Sequence, residues 1–321
     1  KTLDDTWAHW PRDSVLKDVV RIVRRFRPQV IVSIFSGTPR DGHGQHQAAG
    51  WAAREAFRIA GDPSRFPELA TEEHLAPWTP LKLYRSARFD TAATTLTLEG
   101  GALDPAVGQT FHQIAMEGRS RHRSQDMGQL QRIGPSPVRL ALWDDRTGRG
   151  EPALFAGVDT TLTAMAAAGG AAPDTSRWRA IAAALTSTAR LTLPALRSLR
   201  DSLSAAAGVP GPELVDQLRH LDAVIAGRSE LLCDAVAGAD RVTPGEAVPV
   251  STGCTSAVVS PPLPRLAFRG NPVTPSAGLV QVPDTAALTT PYFLRAKRIG
   301  DLYSWRGVPP EIRGLPREPP T

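Results

Sequence analysis

From residue 12 to 27, apolar positions recur every three or four residues: Val15, Leu16, Val19, Ile22, Val23 and Phe26. That spacing predicts an amphipathic helix, started at Pro11 and ended by Pro28, with Arg21, Arg24, Arg25 and Arg27 on a solvated face. The pattern then changes. Residues 29–35 contain a continuous β-branched run, Val30 to Ile34, without polar alternation. Such a run predicts a buried strand of the parallel kind. The alanine-rich GQHQAAGWAAREAFRIA predicts a helix over 45–60, ended by Gly61-Asp62-Pro63. Further strands are predicted at 81–86, at TTLTLEGG (94–101), whose threonines suit a sheet edge, and at VRLALWDD (138–145). A helix carrying His112 and His122 is predicted between 105 and 125.

Beyond residue 174 the chain becomes rich in Ala, Leu and Arg at helical spacing as far as 238, with Pro210-Gly211-Pro212 dividing two stretches. This predicts a helical hairpin or small bundle whose core includes Leu185, Leu191, Leu196, Leu199 and Leu203. After Pro244 the periodicity is lost, and VPVST, SAVVS and GLVQVPD predict short strands. The tail, with Tyr292, Phe293, Tyr303 and Trp305, is aromatic enough to predict packing back onto the first domain. The expected organisation is an α/β domain over 1–165, a helical segment over 174–240 and a β-rich, Pro-rich module with its tail over 241–321.

With 41% hydrophobic and 21% charged residues in 321, the composition is that of a globular protein. No apolar run reaches the length of a transmembrane helix. The net charge of +5 comes mostly from arginine, but no aromatic-interleaved basic patch of the kind that stacks bases accompanies it, so no nucleic-acid partner is expected. Cys233 and Cys254 are the two cysteines; they make no metal motif, and their spacing alone does not establish a disulfide.

The chemistry concentrates at residues 30–50, VIVSIFSGTPRDGHGQHQAAG. The apolar strand stops in a loop containing Gly37, Gly42 and Gly44, which delivers His43 and His46 to the start of a helix. The carboxyl end of a strand in an open α/β sheet is where ligands bind. Glycines allow close backbone approach there, and a helix N-terminus favours an anion. Two imidazoles three residues apart can share one small site, one holding a metal and the other bonding to whatever the metal polarises.

In position and context GHGQH resembles the second motif, H-P-D-H or a variant, of the PIG-L / LmbE-like family of zinc-dependent N-acetylglucosamine deacetylases. LKLYR at 81–85, HRSQ at 122–125 and the closing TPYFLRAKRIGDLYSWRGVPPEIRG follow in the family's order. The resemblance implies a Rossmann-like, partly parallel sheet and removal of an acetyl group from an N-acetylated sugar with Zn2+. It implies His46 as metal ligand and His43 as the catalytic group that stabilises the oxyanion or protonates the leaving amine. Arg40 and Asp41 become candidates for substrate contact, and Gln45 and His122 for outer-shell support. Gln45 stands where the family usually has Asp, so it can orient a ring but cannot stabilise imidazolium by charge.

The family's first motif, A-H-P-D-D-E, which supplies two ligands and the aspartate base, is absent from this sequence. Asp4-Asp5 lacks the preceding His-Pro. The expectation is therefore a C-terminal portion of a longer protein, holding half of a catalytic site. The rival expectation is a glycan-binding or scaffold protein that kept the fold without the metal. A second rival is another H-x-x-H hydrolase drawing on Asp4, Asp5 or Asp144.

Overall fold

The computed structural model describes residues 2–105, 107–122, 131–150, 153–168, 192–206, 212–260, 278–288 and 296–310, with 266–268, 271–273, 313–314 and single positions 179, 182, 183, 290 and 294. The chain divides into two compact units, Lys1–Asp159 with Ala296–Pro319, and Thr160–Arg295.

The first unit is mixed α/β. Helix α1 (Leu3–His9) is capped by the Thr2 hydroxyl, which accepts from the Asp5 N–H at 3.1 Å. Helix α2 (Arg12–Phe26) follows Pro11 and closes at Arg27, whose left-handed backbone (φ 54°) sends its N–H to the Val23 carbonyl. Next come strand β1 (Val30–Ser33), helix α3 (Gly44–Ile59), a single helical turn α4 (Glu68–Thr71) and strand β2 (Lys82–Ser86). Strand β3 (Leu96–Glu99) precedes a small hairpin of β4 (Leu103–Asp104) and β5 (Gln109–Thr110), then helix α5 (Phe111–Ser120) and the long strand β6 (Pro137–Asp145).

The sheet order is β1-β2-β6-β3. β1 runs parallel to β2, pairing Ser33 with Arg85, whereas β6 is antiparallel to both β2 and β3. The sheet is thus partly parallel, with β3 at one edge as its threonines suggested and β6 inside. Leu16, Val20 and Val23 of α2 pack on Ala56 and Ala60 around α3, with Leu69 and Leu75, and Ile31 of β1 joins them. Burying a side chain such as Leu16 or Val20 contributes about 1.5–3 kcal/mol. On β2, buried Lys82 and Tyr84 donate to the Ala153 carbonyl at 3.1 and 3.4 Å.

Three expectations are corrected here. The run from Val30 is not a buried strand: β1 lies at an edge of the sheet, with Val32 50% and Ile34 70% exposed. The arginines of α2 do not form a solvated face: Arg21 and Arg24 are almost fully buried, while Phe26 is 69% exposed. Arg24 donates to the carbonyls of Ala60, Asp62, Arg65 and Phe66 at 2.8–3.2 Å, binding the chain that leaves α3. Arg21 pairs with buried Glu73 at 2.7 Å and also with Asp18. The helix expected from 105 starts instead at Phe111. Thr110 caps it reciprocally, accepting from the Gln113 N–H and donating its own N–H to the Gln113 side chain.

Of the tail aromatics, Tyr292 and Phe293 lie outside the described residues, Tyr303 is 57% exposed, and Trp305 packs near α2. Trp305 sits 5.5 Å from the Arg21 guanidinium, and Arg313 reaches the Glu73 carboxylate at 3.4 Å.

The second unit holds helices Leu162–Ala168, Leu193–Ala206 and Pro212–Arg228, with Leu196, Leu199 and Leu203 buried and Arg200 bonded to Asp222 at 3.0 Å. Leu185 and Leu191 lie outside the described residues. Helical structure stops at Arg228. Residues Leu232–Ala237, included by their spacing in the helical segment, form a strand beside Ala247–Thr255, which also pairs with Leu279–Gln281. SAVVS is not a strand, because the Ser256 hydroxyl accepts the N–H groups of Val258 and Val259 and turns the chain. In the register of the first pair Cys233 opposes Cys254, and the two form a disulfide. Among the described residues no helix is long and apolar enough to cross a membrane.

Candidate functional site

Past Ser33 the chain leaves the sheet through residues 34–43, and one carboxylate organises that loop. Asp41 accepts from the N–H groups of Ser36, Gly37 and Thr38 at 2.9, 2.6 and 3.2 Å and from the Ser36 hydroxyl at 3.0 Å. Pro39–Asp41 form a single 3-10 turn. Gly42 then takes φ 87° and ψ −119°, a conformation closed to residues with a Cβ, and reverses the chain into α3. The loop lies tight against that helix. A Cβ on Gly50 would run into the main chain of Ser36 and Gly37.

His43 is the N-cap of α3 with extended backbone (φ −75°, ψ 162°), and its side chain makes no capping bond, so the ring is left exposed. His46, one turn on, is half-buried between two rings. It stacks on Phe35 at 4.1 Å between centroids and lies 4.0 Å from His43 at a tilt of 36°. Its Nδ1 is 3.1 Å from the Asp41 carbonyl oxygen. A carbonyl only accepts, so Nδ1 carries the proton, and in the neutral ring the lone pair is on Nε2. This is the arrangement by which a backbone carbonyl orients a metal-binding imidazole.

His43, His46 and Asp41 are therefore brought together. Gln45 is exposed on the first turn of α3, while the next residue, buried Gln47, donates to the Gly42 carbonyl at 2.7 Å. His122 is exposed at the end of α5 and bonds through Nδ1 to its own helix at the Arg119 carbonyl, 3.2 Å away. Ser124 and Gln125 of the HRSQ motif lie outside the described residues. As a donor set, His46 fits one position of a zinc site: an imidazole nitrogen pre-oriented by a backbone carbonyl, near a helix N-terminus. Among the described residues no group of three or more His, Cys, Asp or Glu is arranged to hold a metal.

At the carboxyl ends of β1 and β2 lies a cavity of about 420 Å³ that neither imidazole lines but that shares Asp41 with them. Loop residues including Ser36, Arg40 and Asp41 form one wall; Arg54 of α3, Arg85 of β2, Asp90 and Trp143 of β6 line it too, with apolar Ile34 and Phe89. Arg85 bonds to Asp90 at 2.8 Å, and Arg40, 70% exposed, is 3.9 Å from the same carboxylate. The Arg54 guanidinium lies 5.4 Å from the centre of the Trp143 ring.

Sequence reasoning reached Arg40 and Asp41 but missed Arg54, Arg85, Asp90 and Trp143. Two signals were available. Arg54 follows His43 by three helical turns, so the same side of α3 carries both, and Arg85 ends a strand parallel to β1. Nothing in the local pattern marks Trp143. Compared with known proteins, the chain matches no family model, no curated protein and no solved structure.

Proposed function

We propose that this chain contributes to a metal-dependent hydrolase site that removes the acetyl group of an N-acetylated sugar, on a Rossmann-like domain of the PIG-L / LmbE-like kind. The observation that supports the reading best is the bond from His46 Nδ1 to the Asp41 carbonyl, because it leaves Nε2 as the free donor atom. His46 would hold zinc through Nε2. Bound zinc supplies a Lewis acid for the acetyl carbonyl and a water of lowered pKa.

The remaining roles belong to the chain's own groups. His43, exposed at the mouth of the helix, donates to the oxygen that gains charge as the amide becomes tetrahedral, or delivers a proton to the departing amine. The α3 N-terminus adds partial positive charge at the same place. Arg40 and the Asp41 loop form the wall against which substrate hydroxyls lie. Gln45, next to His43, offers an amide hydrogen bond and no charge.

The test is zinc content and N-acetylglucosaminide hydrolysis of the natural full-length protein. The expected result is about one zinc per chain, with His46→Ala losing metal and activity together. Activity retained in that variant would overturn the assignment. A second reading is a glycan-binding protein without catalysis, in line with the described residues holding no group of three or more His, Cys, Asp or Glu arranged for a metal. It predicts sugar binding with neither bound zinc nor hydrolysis in the wild-type protein.

A further inference from the structure

The cavity at the carboxyl ends of β1 and β2 gathers more guanidinium groups than carboxylates. Arg40, Arg54 and Arg85 line it. Two carboxylates face them, and both are occupied. Asp90 is bonded to Arg85 at 2.8 Å with Arg40 at 3.9 Å from the same oxygen. Asp41 has its oxygens filled by the N–H groups of its own loop. The Arg54 guanidinium lies 5.4 Å from the centre of the Trp143 ring, and among the described residues no carboxylate pairs with it. Of the three arginines lining the cavity, one thus has no carboxylate partner among the described residues.

From this geometry we infer that the cavity binds the anionic group, a phosphate or carboxylate, of a sugar derivative. The planar donors of Arg54 match either anion in a two-point contact. The hydroxyls of Ser36, Thr38 and Ser86 on the walls offer partners for ring hydroxyls. A volume of about 420 Å³ is suited to a single hexose with one acidic substituent rather than to a long oligosaccharide. The inference rests on the proposed function for where the acetyl group goes: the sugar's acidic end sits in the cavity and its N-acyl end reaches the imidazoles. The substrate class becomes an acidic N-acetylated sugar. Binding of the anion itself does not require the metal.

Calorimetric titration tests this with four probes: N-acetylglucosamine, its 1-phosphate, N-acetylmuramic acid and inorganic phosphate. At least one acidic sugar is expected to bind about tenfold tighter than neutral N-acetylglucosamine, with the gap shrinking in about 0.5 M salt. Whichever of the phosphate and carboxylate sugars binds tighter identifies the anion. In a folded Arg54→Gln variant the gap should fall to about threefold or less, as in Arg40→Gln at the exposed rim. Equal affinity for the neutral sugar, or an unchanged gap in both variants, would overturn the inference. So would inorganic phosphate binding as tightly as the sugar phosphate, which would make the site one for free phosphate. The same gap is expected in His46→Ala. Because zinc and hydrolysis in that variant test the earlier reading, the two can fail separately.

Discussion

His46 and Asp41 are joined by a bond between a ring nitrogen and a main-chain oxygen, 3.1 Å long, that selects one of two tautomers. The neutral ring is expected as the Nδ1–H form. Long-range nitrogen–proton correlation spectra of the histidines distinguish the two forms directly. A dominant Nε2–H signal for His46 would contradict the geometry and remove the donor atom assigned to zinc.

Gly50 is the point at which the loop and α3 touch. A methyl group there meets backbone of Ser36 and Gly37 rather than a side chain that can swing away. Gly50→Ala is expected to cost about 1–3 kcal/mol, the range for overpacking a filled site. It should also displace the Asp41 loop. The urea midpoint measures the first effect, and the amide shifts of Ser36 and Gly37 the second. A wild-type midpoint would show that the loop yields easily.

Arg24 satisfies four carbonyls at the exit from α3 with one side chain. Replacing it by methionine keeps the aliphatic stem but leaves those oxygens without their donor. A loss of about 3 kcal/mol or more is expected from hydrogen bonds to a charged group. Thermal unfolding of Arg24→Met gives the value. A change within about 0.5 kcal/mol would mean that water replaces the guanidinium.

What could be read beforehand divides along physical lines. The continuous run at Val30 to Ile34, the glycine-bearing loop and the alanine-rich helix are local signals, and with them the placement of His43 and His46 at a strand's end was legible. The α2 arginines were not. Helical periodicity counts arginine as polar, and the carbonyls that bury Arg24 lie 36 to 42 residues away in the chain. The cavity was hidden for the same reason, since α3, β2 and β6 each contribute one wall. Cys233 and Cys254 are opposed only through a strand register, and Leu232–Ala237 had been absorbed into helical spacing.

That disulfide carries its own expectation. Intact protein under non-reducing conditions should be two mass units below the fully reduced form, with no thiol open to alkylation, if both cysteines are paired. It closes a loop between residues 21 apart, so reduction should destabilise the second unit by about 3 kcal/mol. Free thiols in freshly isolated protein would remove the link.

Glu99 supplies a pH dependence. Its carboxylate accepts from the Ser136 N–H at 2.7 Å and the Gly101 N–H at 2.6 Å, which together hold it below the ordinary glutamate range against a smaller opposing effect of burial. A lowered folded value means that the stabilisation is complete above the unfolded pKa of about 4.3 and fades as pH drops through the folded one. The amide shift of Gly101 should titrate with a midpoint below about 4.3, and Glu99→Gln should abolish the titration. A midpoint at or above that value would mean that the two bonds do not form in solution.

Asp41 also does two jobs with two ends. Its side chain is part of the wall of the adjoining hollow, and its backbone oxygen grips an imidazole. Whatever fills the hollow therefore leans on a residue already holding the ring. A spectroscopist could follow occupancy by watching the His46 nitrogens, with no label on the guest.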